Sequence, residues 1–422
     1  MSYIDKLLQG QEVQWKTLGE IADLYGGLSG KVKTDFSEDT NASYIPYKNI
    51  FTNIVVDIEQ LDKVRIVEGE RQNLVQEGDL LVTGSSEIID EVGMTSIVPK
   101  NIGDNVYLNS FSFGVRFNHD VELLPDFLKH LFRSHQMRKQ IVKTANGVTR
   151  FNISKRLFRE LIIPIPPLSV QEKIVEILDK FTTLEAELEA ELDCRKRQYA
   201  YYRTHLLDFS DEMLKSDKGG GNFKLVPLGA IGEVCMCKRI LKSQTSDVGD
   251  VPFYKIGTFG KTPNAYISRN LFEEYKAKYN YPSVGDILIS ASGTIGRSVI
   301  FDGKESYFQD SNIVWIKNDE SQVLNKYLFY CYQIVKWPVS EGGTIPRLYN
   351  DNLKKTLIPI PYPNDKNKSL AVQEKIVKIL DKFDTLTNSI TDGLPKEIEL
   401  RRKQYEYYRE QLLSFPEHKT TA

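Results

Sequence analysis

The chain has 422 residues, of which 41% are hydrophobic and 27% are charged, so it is long enough for two globular cores and is not disordered. Its four cysteines are too few for a disulfide framework, and five scattered histidines disfavour a metal site. No apolar run approaches the about 20 residues that a membrane span needs, and the opening MSYIDKLLQG lacks the features of a signal peptide. We therefore expect a cytoplasmic protein that does not contact a membrane.

Charge is segregated along the chain although the formal net charge is only −2. The run from Lys129 to Arg159 holds nine Lys or Arg and no Asp or Glu, whereas Glu185 to Asp193 holds five acids and no base. This pattern allows a basic face for nucleic acid, although a run of this kind also occurs on an ordinary solvated surface.

In chain order, the globular parts indicate mixed α and β structure. The segments DLLVTG, SFGVRF, DILISAS and NIVWIK are short, rich in β-branched or aromatic residues and bounded by turn-forming residues, as strands are. Residues Pro125 to Val142 have apolar residues at helical spacing and predict one helix. Because strands and helices do not alternate regularly, we expect α+β domains with a mostly antiparallel sheet.

The chain repeats seven segments in the same order, about one domain length apart. The pairs begin at Trp15 and Leu225, Tyr44 and Val251, Glu77 and Val284, Gly147 and Gly343, Leu161 and Leu357, Val170 and Val372, and Arg195 and Arg401. The last two pairs read VQEKIVEILDKFTTL with VQEKIVKILDKFDTL, and RKRQYAYYRTHLLDF with RRKQYEYYREQLLSF. The preserved order indicates a tandem duplication of a domain and the helix that follows it.

The last part of each repeat predicts a long coiled-coil helix. Its apolar residues recur at steps of three, four and seven, and Ser169 with Glu172 is a candidate capping box. In the second copy, Gly393 and Pro395 predict a break. The predicted organisation is a first globular domain 1–167, a first long helix 168–209, a linker 210–222, a second globular domain 223–368, a second long helix 369–415 and a tail 416–422.

The chain order predicts how these helices pair. Each helix leaves its own domain with an unpaired apolar seam, so pairing with the other helix is expected to be antiparallel, with two similar domains separated by a pseudo-twofold coiled coil. A helix of 40 residues is about 60 Å long. On B-DNA that length corresponds to at most about 18 base pairs, which predicts two short half-sites flanking a gap that is not read.

The paired VQEKIV–LDKF and RxxQYxYYR segments, the IPIP strand exits, and GDIL with SGTIG resemble the specificity subunits of type I restriction-modification systems. The resemblance covers nearly the whole chain. It implies two target recognition domains, double-stranded DNA as ligand, two methyltransferase subunits as partners, and further restriction subunits that translocate and cleave DNA. It also implies that this chain is not catalytic and that S-adenosylmethionine, ATP and magnesium are bound by the partners.

Candidate DNA contacts are Lys, Arg, Asn and hydroxyl residues on loop-like stretches near the repeated motifs. For the first domain they are Lys31, Lys33, Lys48, Asn49, Ser85, Ser86, Arg150 and Asn152. For the second they are Lys238, Arg239, Lys242, Lys255, Ser290, Ser292, Thr294, Arg297, Thr344, Arg347 and Tyr349. Each of these residues could equally be exposed to solvent without contacting DNA.

Partner contacts are expected from residues of the repeated tyrosine segment that lie off the apolar seam. These are Tyr201, Arg203, Tyr407 and Arg409, because Tyr and Arg are enriched at interface hot spots. The neighbouring tyrosines fit the seam itself, where they would pack between the helices.

Two other functional classes remain open from the residues alone. One is a structural coiled-coil adaptor that does not touch DNA. The other is a stand-alone DNA methyltransferase or nuclease, for which the signs are weak: Ile165 to Leu168 lacks the groups that hold a flipped adenine, and Glu274 with Lys276 lies in a segment with helical character. The glycines of Gly293 to Gly296 fit a phosphate loop or, more simply, a tight turn.

Overall fold

The structure is a computed structural model and describes residues 2–37, 40–208, 223–339 and 346–416. The chain divides into two compact units. The first unit comprises Met1–Leu188 and Glu397–Ala422, and the second unit comprises Glu189–Lys396. The predicted linker 210–222 lies outside the described residues, as does the predicted tail beyond residue 416.

The described residues of the first unit form twelve short strands, six short helices and parts of two long helices. The helices are α1 Tyr3–Leu8, α2 Leu18–Ile21, α3 Tyr47–Thr52, α4 Pro125–Leu131, α5 His135–Lys143, α6 Lys155–Phe158 and the start of α7 Leu168–Leu207. The strands are β1 Gln14–Thr17, β2 Ala22–Gly26, β3 Ala42–Ile45, β4 Asp62–Val64, β5 Leu80–Thr83, β6 Ser85–Ser86, β7 Thr95–Ile97, β8 Val106–Leu108, β9 Ser112–Phe117, β10 Ala145–Asn146, β11 Phe151–Ile153 and β12 Ile162–Ile165.

The second unit repeats this arrangement with fewer described strands. Its helices are α8 Leu228–Ile231, α9 Arg269–Lys278, α10 Asn325–Tyr332, α11 Asn350–Lys355 and α12 Lys366–Asn388, followed by α13 Leu394–Leu412, which continues into the first unit. Its strands are β13 Phe223–Pro227, β14 Glu233–Cys235, β15 Val251–Tyr254, β16 Tyr266–Ile267, β17 Ile287–Ser290, β18 Ser298–Ile300, β19 Tyr307–Phe308, β20 Ile313–Lys317 and β21 Leu357–Pro361.

The sheets of the two units have the same strand order. The main sheet is β2-β9-β5-β7 in the first unit and β14-β20-β17-β18 in the second, and all neighbouring strands are antiparallel. Each unit also has a three-stranded sheet with one parallel pair of strands. In the first unit it is β4-β3-β8, where β3 and β8 are parallel, and in the second unit it is β16-β15-β19, where β15 and β19 are parallel. The β1-β12 and β13-β21 ribbons join the start of each unit to its IPIP exit. The predicted duplication and the mostly antiparallel α+β fold are confirmed.

Two local predictions were wrong in detail. The segment Pro125 to Val142 forms two helices, α4 and α5, because Ser134 caps a new helix by accepting a hydrogen bond from the Met137 backbone N–H. Helix α7 begins at Leu168, so Ser169 lies in the first turn of the helix and does not precede it as its cap.

The second long helix is broken where the sequence predicts a break. Helix α12 ends at Asn388, and α13 begins at Leu394 with Pro395 in its first turn, where proline fits. A Cβ atom on Gly393 would lie 2.4 Å from the carbonyl oxygen of Thr385, so the chain can fold back this closely only with glycine. The first long helix has no such break and runs for 40 residues.

In the first unit, α7 and α13 pack side by side in opposite directions. Glu185 accepts a hydrogen bond from Arg402 Nε at 2.8 Å, and Phe181, one turn earlier in α7, stacks on Tyr408, later in α13, with the ring centroids 5.1 Å apart. In the second unit, the rings of Tyr199 and Tyr202 in α7 stack on Phe383 of α12. The predicted antiparallel coiled-coil packing is therefore present. Tyr199 is buried in it, whereas Tyr202 packs against it and stays 41% exposed.

The same buried glutamine ties a long helix to the domain in each unit. Gln171 is fully buried; its Oε1 accepts from the Leu124 backbone N–H at 2.9 Å, and its Nε2 donates to the carbonyls of Glu122 and Pro166 at 2.8 Å. Gln373 occupies the same place in the second repeat, where it accepts from Leu324 N–H and donates to the Gln322 carbonyl.

A second pair of equivalent side chains sits two turns further along each helix. In the first unit, Asp179 lies 2.7 Å from His130 Nε2, and His130 Nδ1 lies 2.9 Å from the Tyr405 hydroxyl. In the second unit, Asp381 accepts from the Tyr330 hydroxyl at 2.5 Å. Burial lowers the pKa of His130. For Asp179, burial is the largest influence and raises the pKa, but the hydrogen bonds from His130 and Lys129 together outweigh it, so that the pKa of Asp179 is lowered.

Removing the buried amide should destabilise either unit. Gln171→Ala leaves one backbone N–H and two carbonyls without their partner, and we expect a loss of about 3 kcal/mol in unfolding free energy. Gln373→Ala should cost a similar amount. The measurement is urea unfolding of the full chain. The controls are Lys173→Ala and Lys375→Ala, which lie on the exposed face of the same helical turns. Each control should change the unfolding free energy by less than about 0.5 kcal/mol. Equal effects of the glutamine and lysine variants would contradict this role.

The His130 site should make the first unit sensitive to acid. Since the pKa of His130 is lowered in the folded chain, the unfolded chain binds more protons below about pH 6.5, and stability is lost as the pH falls through that value. We expect wild type to lose about 1 kcal/mol more than His130→Tyr between pH 7.5 and 5.5 in urea unfolding, because the variant reproduces the Tyr330 arrangement. Parallel pH profiles of the two proteins would contradict the prediction.

Candidate nucleic-acid interface

Four of the predicted DNA contacts in the first unit meet at one edge. Strands β6 and β11 pair with Ser85 opposite Asn152 and Ser86 opposite Phe151. Arg150, which precedes β11, donates from Nε and Nη2 to the Ser85 hydroxyl at 3.1 and 2.9 Å. The pairing thus brings Ser85, Ser86, Arg150 and Asn152 together, although they come from segments far apart in sequence.

The turn between β10 and β11 presents this edge to solvent. Gly147 has φ of +131°, and a Cβ atom there would lie 2.0 Å from the carbonyl oxygen of Arg150, so the turn requires glycine. The next residue, Val148, is 92% exposed at the tip of the turn. The motif GVTRFNIS is therefore a hairpin with a protruding tip.

Phe111 is the main residue of this edge that the sequence did not indicate. It precedes β9 and is 60% exposed, and the Arg150 guanidinium lies 5.8 Å from the centre of its ring. Cavities of about 430 and 420 Å³ lie on its two sides, and both are lined by Ser85, Phe111 and Arg150. Only the flanking small residues in NSFSF, which mark a loop, could have suggested that this ring is exposed.

The remaining predicted residues of the first unit lie in different settings. Lys33 and Lys48 are exposed. The Lys31 ammonium donates to Glu70 and to the Arg65 carbonyl, and the hydrogen bond from Lys31 is the main reason that the pKa of Glu70 falls to about 2. Asn49 is 1% exposed, and its amide bonds the backbone of Asp57 and Gln60. Asn49 therefore holds a loop and is not placed to reach a ligand.

The basic run Lys129 to Arg159 does not form one continuous positive surface. Lys129 binds Asp126 and Asp179, and the guanidinium groups of Arg133 and Arg138 donate to backbone carbonyls. Burial is the main reason that the pKa of each arginine falls to about 10. Three of the nine cations of this run are thus used inside the unit, whereas the exposed cations are Lys139, Lys143, Arg150, Lys155, Arg156 and Arg159.

The second unit places Ser292 and Arg347 where the first places Ser85 and Asn152. Ser292 and Arg347 form an antiparallel bridge, and the Leu348 N–H donates to the Ala291 carbonyl, as the Ile153 N–H does to Gly84. The Ser292 hydroxyl donates to Asn312 Oδ1 at 2.9 Å, and Asn312 stands at the position of Phe111. The two edges have the same backbone frame and different side chains.

The glycine turn of the second unit is closed by its own hydrogen bonds. The Ser290 hydroxyl donates to the Thr294 carbonyl and accepts from the Arg297 N–H, and the Gly296 N–H donates to the Ser290 carbonyl. Arg297 also donates to the Phe259 carbonyl at 3.0 Å. Of these residues, Thr294 is exposed and Ser290 is buried. A tight turn explains this segment without a bound phosphate.

The other predicted residues of the second unit are spread over its surface. Lys238 lies over the ring of Tyr279, with Nζ 5.1 Å from the ring centre. The exposed residues Arg239, Lys242, Lys255 and Tyr349 also lie on loops or helix ends. Thr344 lies outside the described residues.

The predicted partner residues behave alike in both units. Tyr201 and Tyr407 are each 56% exposed, and Tyr201 stacks on His205 with the ring centroids 3.9 Å apart. The guanidinium groups of Arg203 and Arg409 instead lie over the seam rings of Tyr199 and Tyr405, at 5.2 and 5.4 Å. Tyr201 and Tyr407 are therefore exposed and the arginines support the seam.

The described residues contain no cluster of three or more His, Cys, Asp or Glu that could hold a metal ion. In the parts of the chain that the structure covers, no helix is both long and apolar enough to cross a membrane. Glu274 and Lys276 both lie on helix α9, and Lys276 Nζ lies over the rings of Phe272 and Tyr281.

Comparison with known proteins gives one consistent result. The sequence profile described as "Type I restriction modification DNA specificity domain" matches residues 11–193 and 221–400. A protein of Haemophilus influenzae named as a type I restriction enzyme specificity subunit is 47% identical over 98% of both chains. The EcoR124I/EcoR124II specificity subunit of Escherichia coli is 30% identical over 100% of this chain and 99% of its own.

Solved structures share the fold at low sequence identity. The crystal structure of the S subunit of a type I system from M. genitalium has a TM-score of 0.54 at 15% identity, covering 97% of this chain and 98% of that one. A chain from a study of complex assembly in a type I system has a TM-score of 0.60 at 16% identity, covering 96% of this chain and 98% of its own.

Proposed function

The chain belongs to the family of type I restriction-modification DNA specificity subunits, and we propose that each of its two units reads one half of a bipartite DNA target. It is a non-catalytic subunit that recognises DNA for such a system. The supporting observation is the duplicated edge. Ser85 and Ser292 sit at the same point of the same sheet frame, and the side chains around them differ.

A two-part target follows because both units have the same sheet backbone at the candidate DNA-binding edge. Equivalent backbones bring equivalent surfaces to DNA, so each unit would contact one short stretch of base pairs. Because the side chains at the edges differ, the two stretches would differ in sequence. The base pairs between the two half-sites would be spanned but not read.

The catalytic partners would supply the chemistry at the site this chain selects. In this proposal two methyltransferase subunits use S-adenosylmethionine to methylate adenines, and restriction subunits use ATP and magnesium to translocate and cleave DNA. The duplicated tyrosines Tyr201 and Tyr407 offer each methyltransferase an equivalent contact. The complex would act on DNA in the cytoplasm.

Mapping of methylated adenines across the genome tests the DNA target. Cells with this gene should carry adenine methylation in one split motif with an unread gap, and deletion of the gene should remove that motif alone. Binding of the assembled complex to the motif should weaken steeply with salt, since phosphate contacts release counterions. A methylation pattern that is unchanged by deletion would overturn the proposal. A complex that forms without binding DNA would favour the adaptor.

The tyrosine contacts can be tested by counting partner subunits. We expect Tyr201→Ala and Tyr407→Ala each to weaken the binding of one methyltransferase subunit by tenfold or more, about 1.4 kcal/mol, because exposed tyrosines are frequent interface hot spots. The double variant should lose both subunits in mass photometry. Lys196→Ala, on an exposed position of α7, is the control. Lower thermal stability with unchanged assembly would mean that these rings only pack within the chain.

A further inference from the structure

The side chains of Phe111 and Arg150 form a wall between two cavities of different charge in the first unit. We call this wall the Phe111–Arg150 ridge; it is tied to the sheet by the bonds from Arg150 to the Ser85 hydroxyl and from the Gly84 N–H to the Phe111 carbonyl. The ring is 60% exposed although it is apolar. A fixed, exposed aromatic ring beside a guanidinium group suits contact with stacked bases and with the thymine methyl group.

The cavity on one side, the Glu91 cavity, has acidic and apolar walls. Its volume is about 430 Å³, and Glu87, Ile88 and Glu91 line it together with the ridge. Its aromatic side is formed by Tyr47 and Phe51, whose rings stack at 6.0 Å. Carboxylates repel phosphate, but they accept hydrogen bonds from the exocyclic amines that base edges present in the major groove. This cavity therefore suits a base edge and not the DNA backbone.

The cavity on the other side, the Lys155 cavity, has the opposite character. Its volume is about 420 Å³, and Asn152 and Lys155 line it with Arg150, whereas its described lining includes no Asp or Glu. Lys155 begins helix α6, which follows directly after β11. Cations and amides next to small residues are the usual partners of phosphate oxygens. This cavity suits the DNA backbone.

We propose that the ridge divides DNA recognition in the first unit, with base edges read on the Glu91 side and the phosphate backbone held on the Lys155 side. In this arrangement Glu91 accepts a hydrogen bond from the amino group of a cytosine or adenine, and Phe111 packs against the neighbouring base. The inference rests on the proposed function, and it names the residues that select the first half-site.

The second unit supports this division because it keeps the frame and replaces the reading groups. Asn312 stands where Phe111 stands, and Arg347 stands where Asn152 stands. The glycine turn around Thr294 replaces the segment that carries the two glutamates. An amide can both donate and accept, so Asn312 would read its base pair by hydrogen bonds where Phe111 reads by contact. The two half-sites would then differ.

The test compares single variants in the assembled complex with its methyltransferase partners, using methylation of a library with randomised half-sites. We expect Glu91→Gln to relax the preference at one base pair of one half-site by about tenfold. Phe111→Ala should relax the same half-site and leave the other unchanged. Asn312→Ala in the second unit should relax only the other half-site. Lys155→Gln should weaken methylation of all targets equally and lower the salt slope of binding by about one.

The possible outcomes separate this inference from the proposed function. If wild type methylates a split motif and both Glu91→Gln and Phe111→Ala leave it unchanged, the ridge does not read DNA although the subunit does. Relaxation of the half-site read through Asn312 would also overturn the inference. If wild type shows no split motif, the proposed function fails and the inference with it. If Phe111→Ala assembles poorly with the methyltransferase partners, the half-site preferences of Phe111→Leu and of the isosteric Glu91→Gln provide the test instead.

Discussion

The structure depends on the attachment of each long helix to its own recognition domain through one buried amide. Gln171 and Gln373 each accept from the backbone N–H just before a domain helix and donate to a nearby carbonyl. Because both glutamine side chains are fully buried where they bond these backbone groups, an apolar residue in place of glutamine would remove the hydrogen bonds without a replacement. The direction in which a helix leaves its unit is thereby set by hydrogen bonds as well as by packing.

The duplicated architecture could be predicted from the sequence because the motifs that form its strands and helices are short, local and present twice. Short β-branched segments such as NIVWIK became strands, and the IPIP exits became strands paired with the start of each unit. The helix boundaries were less predictable. Pro125 to Val142 has one apolar periodicity, but Arg133 turns inward to bind the carbonyls of Ile50 and Asn53, and Ser134 starts a new helix there. Those tertiary contacts leave no pattern in the sequence.

The candidate DNA-binding edge was only partly predictable, for a physical reason. Charge and loop position selected Ser85 and Arg150, which the structure places in hydrogen-bonding contact, but the same criteria also selected Asn49, whose amide is buried in a loop. Phe111 was passed over because an apolar side chain is normally assigned to the core. A sequence gives the type of a side chain, whereas the pairing of β6 with β11 decides which side chains share an edge.

The internal repeat is itself informative, because each unit serves as a reference for the other. Where a side chain holds the frame, the units keep the interaction even when the residue changes: His130 and Tyr330 differ, but each bonds the equivalent aspartate of its long helix. Where a side chain faces solvent at the edge, the interaction itself changes, as between Phe111 and Asn312. Packing alone cannot explain this contrast, since exposed positions contribute little to stability. Different side-chain interactions on the same edge are what two units would acquire if each must read a different DNA sequence from the same backbone.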